Sequence, residues 1–220
     1  MIPGRSSGNV RTAVLLAVLP CLPVTAGCAR AVDGVPRAAA AEAFPESSAD
    51  LGALVVTEVP SGLPRLPDDE LQPPAGAKAV DDVADYADDP AREKDVLEDY
   101  GYRFGWERFW GTGSGSMTGV FVDQFASRAG AGAYAEDLAR NDAERYDGLV
   151  HENPPGLPGG CRMLTVEDAT AQESLGGPAA LVWCGHGPFS VAVTSVAASM
   201  GAAEEEVRAV VEEQLDRLPP

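Results

Sequence analysis

Few residues of this 220-residue chain can do covalent or metal chemistry: four cysteines and two histidines. Cys161 and Cys184, with His186 in "WCGHGP", have the right types for a zinc site, thiolate and imidazole being its ligands. Structural zinc sites hold their ligands at closer spacing, so no metal and no cofactor is expected. His151, in "VHENPP", reads as an exposed loop residue. Ser114 and Ser116 lie in "GTGSGSMTG", which is not the strand-turn-helix elbow of a hydrolase. The same stretch has no Lys followed by Ser or Thr and does not open a helix, so it is not a phosphate cradle either. The carboxylates are abundant, but nothing singles out one pair, and no catalytic residue is assigned. Trp106 and Trp110, in "YGYRFGWERFW", can stack a sugar or a peptide, or they can fill a core. With Gly113 and Ser114 of the glycine loop and His186, they form the candidate binding surface.

The first 27 residues have the layout of an export signal. Arg5 and Arg11 precede the apolar run "TAVLLAVLPCLPV", and the small residues Thr25, Ala26 and Gly27 end it. That run is too short, and too broken by Pro20 and Pro23, to span a bilayer. Cys28 follows at once, and "TAGC" resembles the lipobox of bacterial lipoproteins, with Thr25 where that motif most often has Leu. The resemblance implies that Cys28 receives a diacylglycerol group and becomes the first residue of the mature chain. Cys21 is then lost with the signal and Cys28 is acylated, which leaves an even pair. Cys161 opens the expected strand "CRMLTVE" and Cys184 closes "AALVWC". In an antiparallel hairpin those ends face each other within disulfide range. The opposing reading, two reduced buried cysteines, requires the chain not to be exported.

Charge narrows the partners. The formal charge of the chain is −18. Removal of the leader takes Arg5 and Arg11 and no acidic residue, leaving 14 basic against 34 acidic side chains. Such a surface repels nucleic acid and anionic headgroups, so a nucleic-acid partner is excluded. The acidic stretch between Asp81 and Tyr100 lacks the alternating ligands of a calcium loop and reads as a solvated face.

The elements that must position these residues follow from periodicity. Residues 28–52, rich in Ala, Pro, Ser and charge, read as a tether; 53–220 form the domain. Leu54–Thr57 is a short β-rich run, and Pro90 opens a helix that turns Leu97 to the core. Period-two alternation places Tyr102, Phe104, Trp106 and Trp110 on one side of a strand and Arg103, Glu107 and Phe109 on the other. "VFVDQF" is its neighbour, and Ser127 caps a helix burying Ala131, Tyr134, Ala135 and Leu138. Strands at Arg162–Glu167, Ala179–Cys184 and Phe189–Ala197 follow, the last two joined by a tight hairpin. Ala203, Val207, Val210, Val211, Gln214, Leu215 and Leu218 stripe a terminal helix. The order predicts an α+β domain, an antiparallel sheet of five to six strands with helices packed on one face and one disulfide.

With its aromatic strand, glycine loop, "VFVDQFAS", cysteine pair and terminal "LDRLP" helix, the chain resembles small actinobacterial lipoproteins, including those with a PsbP-like α+β domain. That resemblance implies a domain outside the cytoplasm, anchored to the outer face of the cell membrane through Cys28. Its expected task is non-catalytic binding of a small molecule or protein. A hydrolase with a dispersed site and a docking module for a membrane partner are the alternatives.

Overall fold

The computed structural model describes residues 44–112, 115–167 and 175–220. Cys28, the leader and most of the tether lie outside the described residues, as do Gly113 and Ser114. Seven strands form one antiparallel sheet: β1 (Gly76–Lys78), β2 (Tyr102–Gly111), β3 (Met117–Phe125), β4 (Val150–Glu152), β5 (Cys161–Val166), β6 (Ala179–His186) and β7 (Phe189–Val196). Their spatial order is β1-β2-β3-β7-β6-β5-β4. The two strands beyond the expected five are β1 and β4, three-residue edge strands too short to show alternation. Leu54–Thr57 is not a strand; its β-branched residues run extended after a helix, with Val55 and Val56 fully buried.

Five α-helices accompany the sheet: α1 (Ser48–Leu54), α2 (Val80–Ala84), α3 (Pro90–Tyr100), α4 (Arg128–Arg145) and α5 (Met200–Arg217). They pack on both faces, not on one. Strand β6 shows why: Ala180, Val182 and Cys184 join the core beneath α1 and α5, whereas Ala179, Leu181 and Trp183 join the core beneath α4. A strand buried on both sides reads as a continuous apolar run, which is the pattern of "AALVWC".

The start of the domain also moves. Ser47 caps α1 by accepting from the Asp50 amide, and Leu51 and Gly52 are buried, so the folded part includes residues assigned to the tether. At the C-terminal end of α1, the orphan carbonyls of a helix end are satisfied by side chains. Arg108, buried on β2, donates to the Val55, Val56 and Gly52 carbonyls at 2.8, 2.7 and 3.2 Å. Gln214 of α5 donates to Leu54 O and accepts from the Val56 amide. Glu206 of α5 accepts from the Ser61 amide and hydroxyl and from the Thr118 hydroxyl, fastening the following loop to β3.

Cys161 and Cys184 are register partners across β5 and β6 and form the disulfide, with Cα atoms 4.1 Å apart. Ser127 and Ser199 cap α4 and α5, and the stripe expected on α5 is buried throughout. Among the described residues, no helix is long and apolar enough to cross a membrane.

Candidate functional site

Strand alternation divides the sequence-derived candidates between the two faces. Trp110 is 1% exposed and lies in the core beneath α1 and α5, so the binding surface expected of it is absent. Trp106 packs against that core too. Its ring closes so tightly on Gly52 that a Cβ there would stand 2.6 Å from ring carbons. His186 ends β6 on the same side as Cys184, next to the two-residue turn Gly187–Pro188, and both sulfurs of the imagined zinc site are consumed by the disulfide. Tyr102 departs from the expected alternation. The β2–β3 register shifts between Tyr102 and Phe104, and this irregularity turns Tyr102 to the opposite face, where it packs edge-on against Phe125.

That opposite face holds the cavity with the most developed apolar lining, about 390 Å³. α4 covers β5, β6 and β7 through Ala135 and Ala139, while α2 stands over β1 and β2. Between the two helices, the part of β2 and β3 that carries Phe109, Gly119 and Phe121 lines the cavity. Small residues, Gly119, Ala192 and Thr194, recess the floor between Phe109, Phe121 and Trp183. Tyr134 and Leu138 of α4, with Tyr146 just past its end, supply one wall, and Val83 and Tyr86 the other. Phe109 and Phe121 meet edge to face at 5.3 Å.

Polar groups converge at one end of this cavity. Glu107 forms a buried ion pair with Lys78 at 3.2 Å and accepts from the Tyr86 hydroxyl at 2.9 Å on each carboxylate oxygen. Lys78 also donates to the Pro74 carbonyl, and its ammonium lies 5.2 Å from the centroid of the Tyr86 ring. Burial raises the Glu107 pKa, against the pull of Lys78 and Tyr86. Asp123 lines the same end; it faces Gly105 across the β2–β3 ladder and is diagonal to Glu107. A Cβ at position 105 would fall 2.1 Å from Asp123 Oδ1, so glycine there is what admits the carboxyl. Burial and the neighbouring Glu107 push Asp123 up to about 7, opposed by a hydrogen bond from Tyr102. Among the described residues Asp123 has no cationic partner, whereas Glu107 has Lys78.

No family model and no curated protein matches the chain. Among solved structures, the extracellular domain of PknH from Mycobacterium tuberculosis is similar to 65% of this chain and 78% of its own length, at 12% identity and a TM-score of 0.40.

The sequence reading missed this site. It placed Glu107 and Phe109 on the side of β2 away from the aromatic core, which under a one-faced sheet means solvent. The signal that could have found the site is in β6: a strand apolar at consecutive positions requires cover on both faces, which makes Glu107 and Asp123 interior carboxylates.

Proposed function

We propose that the chain is an exported, lipid-anchored envelope protein whose α+β domain binds a small apolar ligand without transforming it. The cavity on the α4 face carries the binding half of this reading. Its volume of about 390 Å³ and its apolar lining with a few convergent polar groups are the attributes of a ligand pocket. The disulfide supports export, because such bonds persist in oxidising compartments. Anchoring rests on "TAGC" and Cys28.

A hydrolase is favoured by one observation, the pairing in a cavity of a carboxyl that titrates near neutrality with a second carboxylate. Binding accounts better for the surroundings. Both oxygens of Glu107 are already held by Tyr86, one of them also by Lys78, and among the described residues no Ser or Cys lines the cavity. Its floor, Phe109, Gly119, Phe121 and Ala192, is hydrocarbon and offers no side-chain donor to orient a sugar or peptide. A docking module with no deep pocket fits the cavity least.

The test is a titration of the purified mature chain with the neutral dye Nile red, beside Ala192→Phe, which fills the floor. Saturable fluorescence in the wild type, weakened about tenfold in the variant, is the expected result. Equal binding by both proteins would move the ligand elsewhere.

A further inference from the structure

The chemistry of the cavity selects a class of ligand, and this inference rests on the cavity being the binding site. We propose that the cavity takes an organic ammonium ion, with its charged head against Asp123 and its hydrocarbon body along the floor of Phe109, Phe121 and Trp183. Three independent features converge on a cation.

The first is charge pairing. Lys78 neutralises Glu107 at 3.2 Å, which leaves Asp123 as the carboxyl without a countercharge at that end among the described residues. An ionised carboxylate in a protein interior is costly unless it is paired. A proton and an organic cation are alternative ways of neutralising Asp123, and the raised titration of that group is the proton's version. The second is the walls. Tyr86 and Tyr134 stand near Asp123 at the polar end, where aromatic rings favour an ammonium head over a carboxylate, and the floor of Phe109, Phe121 and Trp183 takes the hydrocarbon body. The third is the net charge of −18, which raises the local concentration of cations over anions.

The titratable groups around Asp123 come from every neighbouring element. Tyr102 and Glu107 face it from β2, Tyr134 from α4 and Tyr86 from the end of α2, and all three tyrosines are held above their ordinary range by burial and by these carboxylates. Lys78 of β1 stands behind Glu107. Asp142 and Arg145 also line the cavity, but Arg145 is three helical turns beyond Tyr134, about 16 Å along α4. Asp123 and Glu107 are the carboxyls at this end whose pKa values burial raises, and of the two Asp123 is the one with no cation beside it among the described residues.

The experiment is calorimetric titration of the full mature chain with octylammonium, octanol and octanoate, which share a tail and differ in the head. Octylammonium is expected to bind about tenfold tighter than octanol, and octanoate more weakly than either. The ammonium-to-octanol ratio should fall to about one in Asp123→Asn. In the wild type, affinity for octylammonium should rise about tenfold or more between pH 5.5 and 8, because the competent form is the ionised one. Titration at pH 6 in buffers of different ionisation enthalpy should show nearly one proton released per ligand. Equal binding of octylammonium and octanol, a preference for octanoate, or a pH-independent affinity would overturn the ammonium assignment and leave the cavity reading standing. Failure of all three probes to bind would remove both. Should Asp123→Asn not fold, the wild-type pH series and proton count decide alone.

Discussion

Asp123 and Glu107 show how residues of one type acquire different states from their surroundings. Both lie on the inward face of neighbouring strands, Glu107 buried and Asp123 half-buried, and desolvation raises both pKa values. Glu107 has a cation and a phenol to hold its charge; Asp123 has a tyrosine and a like charge beside it. The consequence for stability has a definite sign. In the unfolded chain Asp123 titrates near 3.8 and in the folded chain at about 7. Between those values the native state holds a proton that the unfolded state has lost. Stability present in acid is therefore lost as pH rises through that window, by up to about 1.4 kcal/mol per pH unit. Asn at 123 is neutral in both states, so urea unfolding of Asp123→Asn from pH 4.5 to 7.5 should show a slope shallower by about one proton. An unchanged slope would mean that Asp123 is ionised in the folded protein. None of this was legible from "WERFW" or "VFVDQF" alone, since a charged residue at alternate positions looks the same facing water or a cavity.

At the scale of elements, the disulfide and the closing of α1 against the sheet divide what could be read from what could not. Cys161 and Cys184 were readable as partners because strand ends in a hairpin must meet, and β5 and β6 place them opposite each other. Replacing both with alanine removes a bridge between residues 23 apart in sequence and should cost about 3 kcal/mol by guanidinium unfolding. A loss below about 1 kcal/mol would show that the core beneath α5 already restrains these strands. The helices α4 and α5 were legible from their caps and 3.6-residue stripes. α1 was not, because seven residues carry too little periodicity to stand out from an alanine-rich tether. Its placement depends instead on residues far along the chain: Arg108, Gln214 and Arg217 satisfy its terminal carbonyls, and Trp106 closes over Gly52. Arg108→Met should cost about 2–4 kcal/mol by leaving buried carbonyls unpaired. Thermal unfolding would register this as a fall in Tm. Gly52→Ala, by forcing a methyl into the Trp106 ring, should cost about 1–3 kcal/mol in the same assay. Wild-type stability in both variants would mean that α1 is detachable from the domain.

For the whole molecule, the decisive difference from the sequence reading is that the sheet is covered on both faces. A sheet with helices on one side leaves its other face to water, and function must then be sought on loops such as the glycine stretch. With α1 and α5 on one side and α2, α3 and α4 on the other, the face carrying Trp106 and Trp110 closes into core. The gap between α2 and α4 holds the cavity. The proposed anchoring requires that the chain be processed at Cys28 and held at the membrane. The most direct measurement is the intact mass, without reduction, of the protein recovered from the membrane fraction of a lipoprotein-processing bacterium, beside a Cys28→Ala variant. The expected result is a wild-type chain that begins at Cys28, carries added acyl mass and keeps Cys161 linked to Cys184, and a variant that leaves the membrane without that mass. A soluble, unacylated wild-type chain, or one with both Cys161 and Cys184 open to alkylation, would contradict it.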